Sequence, residues 1–595
     1  MNEELISYAP DFPSEEWSPR DRELLEPFAT NLDGFVSVLR NLPPELVGAL
    51  CSRASRAADS LVRVLLKEYI YPIVDGEDKK LAQELLDTIA FLKAHGFKNI
   101  LNNQRAQAFY AKWLSQYGDD SIAQMTGTHL SFWGLSQVAV KFVQDQRVGL
   151  EPIEKSTRYV NFGNKPGGKY LYYVPKPDLE RLGVLDEYRR TMDFLFDTYV
   201  ALLPKLMVWL KENFKDKESI LEKKAFDTLR GLLPSATLTQ VAFRGNAQAW
   251  EYLINRTARH SLGELRWVAQ AVKKELDEEI PSLLLRLQDE KSQEYQHYLA
   301  GRPKRVREAL DEERIDVPFE TVSSPTVHPP IFSDETLTSH GQTKQVDRTS
   351  PHSSGLDRKD GRVKLVEWDP EAELKIIAGI LFTETHCSWE TALTAARDMG
   401  AEKREAMLKS YIGDRPARWY KIGRAFENSY LRFEITMNIG SYRDLHRHRM
   451  MTQDRQRFST YHGFDVPGEI KEAGLQKPFE EAMEKAAGLF KKLEAKDIDL
   501  AQYVVPMAYR IRFYQWQNFR QVFWETELRT ISQGHPDYRY VEQEKYRLVK
   551  EKFPTLAAAM QVDMNDYHLP RRGTEERIEA KEKDLIEKLG KKKRQ

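Results

Sequence analysis

Two stretches decide how this chain is interpreted: Leu445-His446-Arg447-His448-Arg449-Met450 and, far earlier, Glu154-Lys155-Ser156-Thr157-Arg158-Tyr159. The first stretch packs two permanent positive charges and a titratable imidazole into three consecutive residues. The second places a hydroxyl and a guanidinium two residues apart, so on an extended segment both side chains point to the same side. The two stretches lie far apart, one in each half of the chain.

Length and composition favour a multidomain globular protein. A chain of 595 residues is too long for a single core, and 41% apolar residues with 27 Phe, 26 Tyr and 11 Trp argue against a disordered chain. The 89 basic and 90 acidic residues leave a formal net charge of -1. Because this balance gives no general attraction for nucleic acid or anionic membrane, any anion site must be a local cluster.

The cysteines and the N-terminus indicate the compartment. Cys51 and Cys387 are the two cysteines, which is too few for a disulfide framework or a structural zinc site. The start of the chain lacks the basic and apolar segments of a signal peptide, and no apolar stretch approaches the length of a membrane helix. We therefore expect a soluble, cytoplasmic protein with no membrane partner.

The chain divides into two halves. Residues 301–362 are predicted to be a linker, since they contain proline steps and a polar run with few apolar anchors. The linker separates an N-terminal domain at 25–300 from a C-terminal domain at 363–570. Residues 571–595 alternate Glu and Lys and are predicted to form a charged, solvated tail.

Both halves follow the same order of segments, which predicts a duplicated domain. In each half an apolar strand precedes a helix, a second apolar strand, a long helix and an apolar step into proline. These pairs are 34–39 and 363–368, 47–66 and 371–382, 128–132 and 429–435, 186–212 and 478–495, and Leu233-Pro234 and Val505-Pro506. The predicted fold class is α+β, with two homologous domains that each contain a mixed or antiparallel sheet flanked by long helices.

Arg447-His448-Arg449 is a poor metal site, because adjacent guanidiniums repel a cation and no ligand cluster follows at metal spacing. Guanidiniums do suit a bidentate grip on phosphates or a pyrophosphate. Two other interpretations stay open, a solvated basic loop and a nucleic-acid patch that would include further arginines between residues 432 and 457.

The first half holds a second set of polar candidates. Glu154, Ser156 and Arg158 form either an ordinary strand end or a clamp for a phosphate or pyrimidine. Arg230 stands before a Leu-Pro step, and Arg256 and His260 lie four residues apart, which would place them on one helix face. An arginine beside a pyrimidine would stabilise negative charge on its carbonyl oxygen.

In order and approximate spacing, this set resembles the flavin-dependent thymidylate synthases of the ThyX type. The resemblance implies that Ser156, Arg158 and Arg230 bind dUMP, and that Arg256 contacts and polarises the uracil near the flavin. Glu154 and His260 are included among the substrate-binding candidates.

The second half is similar to the flavin-binding part of the same family. Arg447-His448-Arg449 resembles the family's flavin-binding triplet, and Phe426-Glu427 resembles a Phe-Glu pair that precedes it. Asn518 and Arg520 resemble an Asn-x-Arg pair that contacts FAD. Arg529 occupies the frame of Arg256 in the other half. The cofactor-binding candidates are therefore Arg447, His448, Arg449, Glu427, Asn518, Arg520 and Arg529.

The departures from the family pattern are complementary. In the first half Asp145-Gln146-Arg147 stands in place of the triplet, and in the second half Gln502 replaces the arginine before the proline step. The family builds its sites between the subunits of a homotetramer. The resemblance therefore implies a site that takes its substrate face from the first half and its flavin face from the second, in a homodimer that imitates the tetramer.

The implied activity is reductive methylation of dUMP to dTMP, with FAD as cofactor, methylenetetrahydrofolate as carbon donor and NADPH as reductant. No metal and no nucleic acid is expected to take part. The alternative is a non-catalytic paralogue that binds flavin or nucleotide and acts as a regulatory or structural protein. A third interpretation is RNA or DNA binding through the arginine-rich region of the second half.

Overall fold

The computed structural model describes residues 3–11, 15–97, 103–116, 120–312 and 361–567, together with 580–581 and 583–584. Most of the predicted linker and of the predicted charged tail lies outside the described residues. At its N-terminal end the predicted linker overlaps a helix, Glu290–Glu312, which crosses the expected boundary at residue 300.

The first half contains a four-stranded antiparallel sheet of β1 (Val36–Leu39), β2 (Gly127–Ser136), β3 (Leu150–Glu154) and β4 (Leu238–Asn246). The strands lie in the order β1-β2-β4-β3. The long strand β2 pairs with both β1 and β4, and β4 also pairs with β3.

The second half repeats this sheet. Its strands are β5 (Val363–Trp368), β6 (Tyr430–Asn438), β7 (Thr452–Arg455) and β8 (Arg510–Asn518), in the order β5-β6-β8-β7. All pairs are antiparallel, and the order corresponds strand for strand to that of the first half. The prediction of two homologous α+β domains is confirmed, and of the two sheet types that the sequence left open the antiparallel one is present.

The apolar core of the first half follows from strand alternation. Val36, Val38, Leu130, Phe132 and Phe243 lie on one face of the sheet and are buried. The helices Ala247–Thr257 and Gly263–Asp277 contribute further members of the same cluster, which closes this face of the sheet.

The two long helices agree with the prediction, and the helix predicted over 47–66 does not. Leu185–Asn213 and Gln476–Glu494 correspond closely to the predicted long helices. The helix predicted over 47–66 is interrupted, because Ser60 caps a new helix by accepting a hydrogen bond from the Arg63 backbone N–H. The α-helices are Glu3–Ile6, Pro19–Leu25, Pro44–Ala54, Leu61–Val64, Tyr71–Val74, Lys79–Ala94, Asn103–Tyr110, Gln137–Gln144, Lys176–Arg181, Leu185–Asn213, Glu218–Leu229, Ala247–Thr257, Gly263–Asp277, Glu290–Glu312, Ala372–Glu384, Trp389–Asp398, Ala401–Ile412, Ile439–Leu445, Gly468–Glu472, Gln476–Glu494, Ile498–Ala501, Phe519–Arg529, Pro536–Lys552 and Pro554–Ala557.

The described residues divide into two compact units that exchange segments between the sequence halves. The first unit consists of the described residues within 1–205, 225–320 and 477–507. The second unit consists of the described residues within 206–224, 321–476 and 508–595. Each sheet lies in its own unit. The first unit thus includes a long helix from the second half of the chain.

Within the first unit, the two proline steps pair with each other. The Ser235 N–H donates to the Val505 carbonyl at 2.8 Å, and the Met507 N–H donates to the Leu233 carbonyl at 2.9 Å. Pro234 and Pro506, which stand at equivalent places in the two repeats, also form an antiparallel bridge. Reciprocal contacts between equivalent positions are the pattern of a two-fold interface.

In the part of the chain that the structure describes, no helix combines the length and the apolar character needed to cross a membrane.

Candidate functional site

Arg158 and Arg230 of the first half share one carboxylate. The Arg158 Nε donates to Asp227 Oδ2 at 2.9 Å, and the Arg230 Nη1 lies 3.2 Å from Asp227 Oδ1. Arg230 is 4% exposed, and the Arg158 side chain is also mostly buried. Two guanidiniums held around one carboxylate supply the kind of N–H donors that bind an anionic ligand.

Asp227 was missed by the sequence reasoning, although it stands three residues before Arg230 and therefore on the same helical face. That spacing was a usable signal for one of its two contacts. The contact with Arg158 joins residues far apart in the chain and has no local signal.

Ser156 and Arg158 lie in a turn and not on a strand, which corrects the expectation from alternation. Strand β3 ends at Glu154, and the Arg158 backbone N–H donates to the Ser156 Oγ at 3.3 Å. A serine hydroxyl that binds the backbone two residues on stabilises a turn. The Ser156 backbone N–H donates to the Ser55 carbonyl at 2.9 Å and fixes the position of the turn.

Glu154 forms a buried ion pair at the end of β3. The Lys141 Nζ, whose side chain is fully buried, donates to Glu154 Oε2 at 3.0 Å and to Gln144 Oε1 at 2.8 Å. The structure therefore gives Glu154 a role inside the domain, where it fixes the strand end to the helix Gln137–Gln144. Its place among the substrate-binding residues stays a prediction.

Lys155 is a second residue that the sequence reasoning did not single out. Its Nζ donates to the Ala58 carbonyl at 2.9 Å and lies 4.4 Å from the centroid of the Trp133 ring. Burial lowers the pKa of Lys155 to about 7, and Glu15 and Asp59 offset part of this effect. The lysine anchors the chain after β3 against the segment that precedes the Ser60-capped helix.

Arg256 and His260 both contact Phe142. The Arg256 guanidinium carbon lies 4.6 Å from the centroid of the Phe142 ring, and the His260 ring packs edge-on against it with centroids 4.5 Å apart. The helix ends at Thr257, so the two residues do not share a helix face as expected. His260 lies in the following turn, where its Nδ1 accepts from the Leu262 N–H at 3.0 Å.

In the second half, the Arg-His-Arg triplet directs its histidine inward. His448 is buried, and its Nε2 accepts from the Arg529 Nε at 2.8 Å while its Nδ1 lies 3.3 Å from the Gln521 Nε2. Burial lowers the pKa of His448 to about 3, and the charges of Arg529, Lys545 and Arg447 act in the same direction, against an opposing contribution from Glu525. The imidazole is therefore neutral at physiological pH and acts as an acceptor.

The flanking arginines of the triplet are more accessible than the histidine. The Arg447 side chain is 41% exposed and forms an ion pair with Asp444, and Arg449 is half-buried. The Arg529 Nη2 donates to the Asp444 carbonyl at 2.7 Å, so one segment connects Arg447, His448 and Arg529.

The two halves place different chemistry at the same position. The helices Gln137–Gln144 and Ile439–Leu445 each begin at a side-chain N-cap, and His448 lies as far beyond the second cap as Gln146 lies beyond the first. The Gln146 Nε2 donates to the Ala249 carbonyl at 2.6 Å, and His448 contacts Gln521, the counterpart of Ala249. Asp145-Gln146-Arg147 thus stands where the second half has Arg447-His448-Arg449.

Contrary to the prediction, Arg529 does not occupy the helix position equivalent to that of Arg256. Arg256 lies ten residues after the N-cap Asn246, whereas Arg529 lies eleven residues after the N-cap Asn518. One residue on a helix is a rotation of about 100°. Arg529 therefore turns toward His448 and does not repeat the placement of Arg256.

Glu427, Asn518 and Arg520 have internal partners in the second unit. The Arg520 Nη1 donates to Glu427 Oε1 at 2.6 Å, and its Nε donates to the Ile422 carbonyl at 3.0 Å. Asn518 caps the helix Phe519–Arg529 by accepting from the Gln521 N–H at 2.8 Å. The Asn-x-Arg pair thus joins the start of this helix to the segment that contains Glu427.

The donor set of the second half fits FAD. Arg447 and Arg449 supply guanidinium groups suited to pyrophosphate oxygens, and His448 holds Arg529 beside them without adding charge. Within the described residues there is no cluster of three or more His, Cys, Asp or Glu side chains with the arrangement of a metal site.

Comparison with known proteins gives the same division into halves. The family model described as thymidylate synthase complementing protein matches residues 78–282 and again 364–555. A protein named UPF0159 from Chlamydia pneumoniae is 34% identical over 574 residues, which cover 95% of this chain and 98% of the relative. Relatives of the same name from Chlamydia muridarum and Thermoplasma acidophilum are 33% and 26% identical, over 95% and 81% of this chain and 99% and 93% of their own lengths. The chain therefore belongs to the thymidylate synthase complementing protein family, of the ThyX type, and contains two copies of the family's domain in tandem.

Proposed function

We propose that this protein is an FAD-dependent thymidylate synthase in which the two halves have divided the binding tasks. The first half would hold dUMP, and the second half would hold FAD. Methylenetetrahydrofolate would supply the carbon, and NADPH would supply the reducing equivalents that FAD delivers when bound.

The observation that carries this proposal is the different chemistry at one repeated position. His448, with Arg447 and Arg449 on either side, stands in the second half where Gln146, with Asp145 and Arg147 on either side, stands in the first. One guanidinium with a carboxylate two residues away cannot grip a pyrophosphate as two guanidiniums can. Conversely, the first half keeps the arginine before the Leu-Pro step, which the second half has replaced by Gln502.

For the nucleotide, Arg158 and Arg230 are the proposed phosphate ligands, and Ser156 adds a hydroxyl donor. Asp227 orients both guanidiniums before the ligand arrives, which reduces the entropy that binding must overcome. We do not assign Ser156 as a covalent nucleophile, because its hydroxyl accepts from the Arg158 backbone N–H and so stabilises the turn.

Arg256 is the proposed catalytic residue. The faces of Phe142 and Tyr252 hold its guanidinium, at 4.6 Å and 5.6 Å from the respective ring centroids. A guanidinium fixed in this way would stabilise negative charge on a uracil carbonyl oxygen as C5 becomes nucleophilic. His448, which stays neutral, would serve as an acceptor that positions Arg529 and not as a proton donor.

The proposed assembly is a homodimer that imitates a tetramer, and the proposed location is the cytoplasm. The reciprocal hydrogen bonds around Pro234 and Pro506 support the proposed homodimer, since they join equivalent positions of the two copies as a subunit interface would. The two free cysteines, Cys51 and Cys387, are compatible with a reducing compartment.

The test of catalysis is loss of the C5 hydrogen of dUMP with FAD, methylenetetrahydrofolate and NADPH present. We expect turnover by the wild type and a loss of about a hundredfold or more in Arg256→Ala, because one stabilising donor is removed. Arg259→Ala is the matched control: this exposed neighbour contacts Gln293, and its loss should change the rate by less than about twofold. Equal effects of the two substitutions would contradict the assignment.

A non-catalytic paralogue is the second candidate, and the substitutions themselves favour it. Loss of the triplet in the first half and of the arginine at Gln502 in the second is what decay of an enzyme would also produce. A wild-type protein that binds FAD and dUMP but never releases the C5 hydrogen would establish this alternative.

A further inference from the structure

The second unit has charged and polar side chains in the middle of its core. Lys545 is fully buried, and its Nζ donates to Glu525 Oε2 at 3.0 Å, to Glu542 Oε1 at 3.2 Å and to Gln515 Oε1 at 2.8 Å. The Gln515 Nε2 in turn donates to Glu525 Oε1 at 3.0 Å. All four residues are 0% exposed, and we call them the buried polar cluster.

The first half has apolar residues at the same places. Leu253 and Glu525 each lie seven residues after an asparagine N-cap, and Phe243 and Gln515 each lie three residues before it. In the following helices, Ala269 and Glu542 lie seven residues after the N-cap, and Val272 and Lys545 lie ten residues after it. The apolar counterparts Phe243, Leu253, Ala269 and Val272 all belong to one hydrophobic core cluster.

This correspondence holds at the neighbouring positions, which stay apolar and buried in both halves. Val268 corresponds to Val541, and Leu276 corresponds to Val549. The first half therefore shows that this fold can be built with apolar residues at these four positions. Because a buried ion pair is often no more stabilising than apolar residues of similar volume, the cluster has no evident value for stability.

The cluster is continuous with the Arg-His-Arg triplet. Gln521, Glu525 and Arg529 follow each other at intervals of four residues and therefore lie on one face of the helix Phe519–Arg529. Gln521 and Arg529 contact the two ring nitrogens of His448, and Glu525 between them binds Lys545. Both the cluster and the triplet are thus fixed by one helix face.

We propose that Glu525, Glu542 and Lys545 are positioning residues that hold this helix face in register with His448 and so present Arg447 and Arg449 to the pyrophosphate of FAD. This inference rests on the proposed function, since it assigns the purpose of the cluster to the flavin-binding half.

The charge state of the cluster supports this role. Burial raises the pKa of Glu542 to about 8; the charge of Glu525 adds to the effect, and Lys545 and Arg529 oppose it. Burial alone would raise the pKa of Glu525, but Lys545 and His448 lower it below its ordinary value. At neutral pH, Glu542 therefore keeps its proton, and Lys545 pairs with the carboxylate of Glu525. Above pH 8, loss of that proton places a second carboxylate charge beside Glu525 in the core.

The first experiment replaces the three charged residues of the cluster by their first-half counterparts, as Glu525→Leu, Glu542→Ala and Lys545→Val in one variant. We expect the midpoint temperature of its thermal unfolding without FAD to be no lower than that of the wild type. Its affinity for FAD should fall by tenfold or more. The control is the double substitution Arg415→Met with Glu527→Leu, which removes the buried ion pair between these residues. Glu527 lies on the same helix as Glu525, but the pair is outside the cluster. The control should leave FAD affinity within twofold of the wild type.

The second experiment uses Glu542→Gln, which keeps the size of the side chain and cannot ionise. FAD affinity of the wild type should decline as the pH rises through 8, and that of Glu542→Gln should not. This pH profile decides the question if the triple variant does not fold. The inference is overturned if the triple variant binds FAD as the wild type does, or if both pH profiles coincide. A wild type that takes up no FAD would instead refute the proposed function.

Discussion

His448 and Gln146 show how one position of a repeated fold can carry two functions. Gln146 and His448 both contact the first turn of the helix that follows the fourth strand of their half, at Ala249 and Gln521. Gln146 donates there to a backbone carbonyl, whereas His448 also accepts from Arg529. Burial makes the imidazole neutral, so its value lies in accepting a hydrogen bond and not in its charge.

His448→Gln tests this view of the residue. The pKa of His448 is about 3 in the folded protein and about 6.5 when unfolded, so the unfolded state binds more protons between these values. Wild-type stability should therefore fall as the pH drops below 6.5, by about 2 kcal/mol at pH 5 from this residue. His448→Gln should unfold in urea with a smaller acid dependence. An unchanged pH dependence would mean that His448 is accessible and titrates normally.

For individual residues, the sequence predicted charged candidates for the site more easily than the residues that bind them. Arg158 and Arg230 were predicted from the residues around them, whereas Asp227, which binds both, was not. A contact between distant residues leaves no local pattern. The alternation argument failed at Ser156 because a hydroxyl that binds its own backbone favours a turn over a strand.

The secondary-structure elements were predictable wherever the apolar pattern was long. Both long helices and all four predicted strands are present near their expected bounds. The helix predicted over 47–66 failed because a buried serine at position 60 starts a new helix, and a single capping residue is a weak signal inside an apolar segment. The Lys141–Glu154 pair also lay beyond prediction, since charged residues are expected outside the core.

Two helices with matching caps allow a test of Asn518. Asn246 and Asn518 each accept from the backbone N–H three residues on, at 2.8 Å. Aspartate caps a helix as well as asparagine does, so Asn246→Asp and Asn518→Asp should both leave the free energy of unfolding within about 0.5 kcal/mol of the wild type.

The two variants should differ in FAD affinity if the Asn518 amide faces the cofactor. Asn518→Asp replaces an amide donor by a negative charge, which should weaken FAD binding by about tenfold or more. Asn246→Asp should bind FAD normally. Fluorescence titration with FAD makes the comparison, and equal affinities would restrict Asn518 to its capping role.

For the whole molecule, the duplication was visible in the sequence and the exchange of segments was not. The order of strands, helices and proline steps predicted two homologous domains. That the residues of 477–507 belong with the first unit depends on packing between remote segments. The reciprocal pairing around Pro234 and Pro506 likewise joins segments far apart in the chain and has no local sequence signal.

The central claim is that the first half holds dUMP and the second half holds FAD, and the most direct measurement is the visible absorbance of bound flavin with and without dUMP. The wild type should contain a single FAD per chain whose spectrum shifts with dUMP. Arg447→Ala with Arg449→Ala should be purified without flavin. Arg158→Ala with Arg230→Ala should keep FAD and lose the response to dUMP. Arg181→Ala with Arg397→Ala, which removes two exposed arginines, should behave as the wild type. Loss of flavin from the first-half variant alone, or two FAD molecules per chain, would contradict the division of tasks.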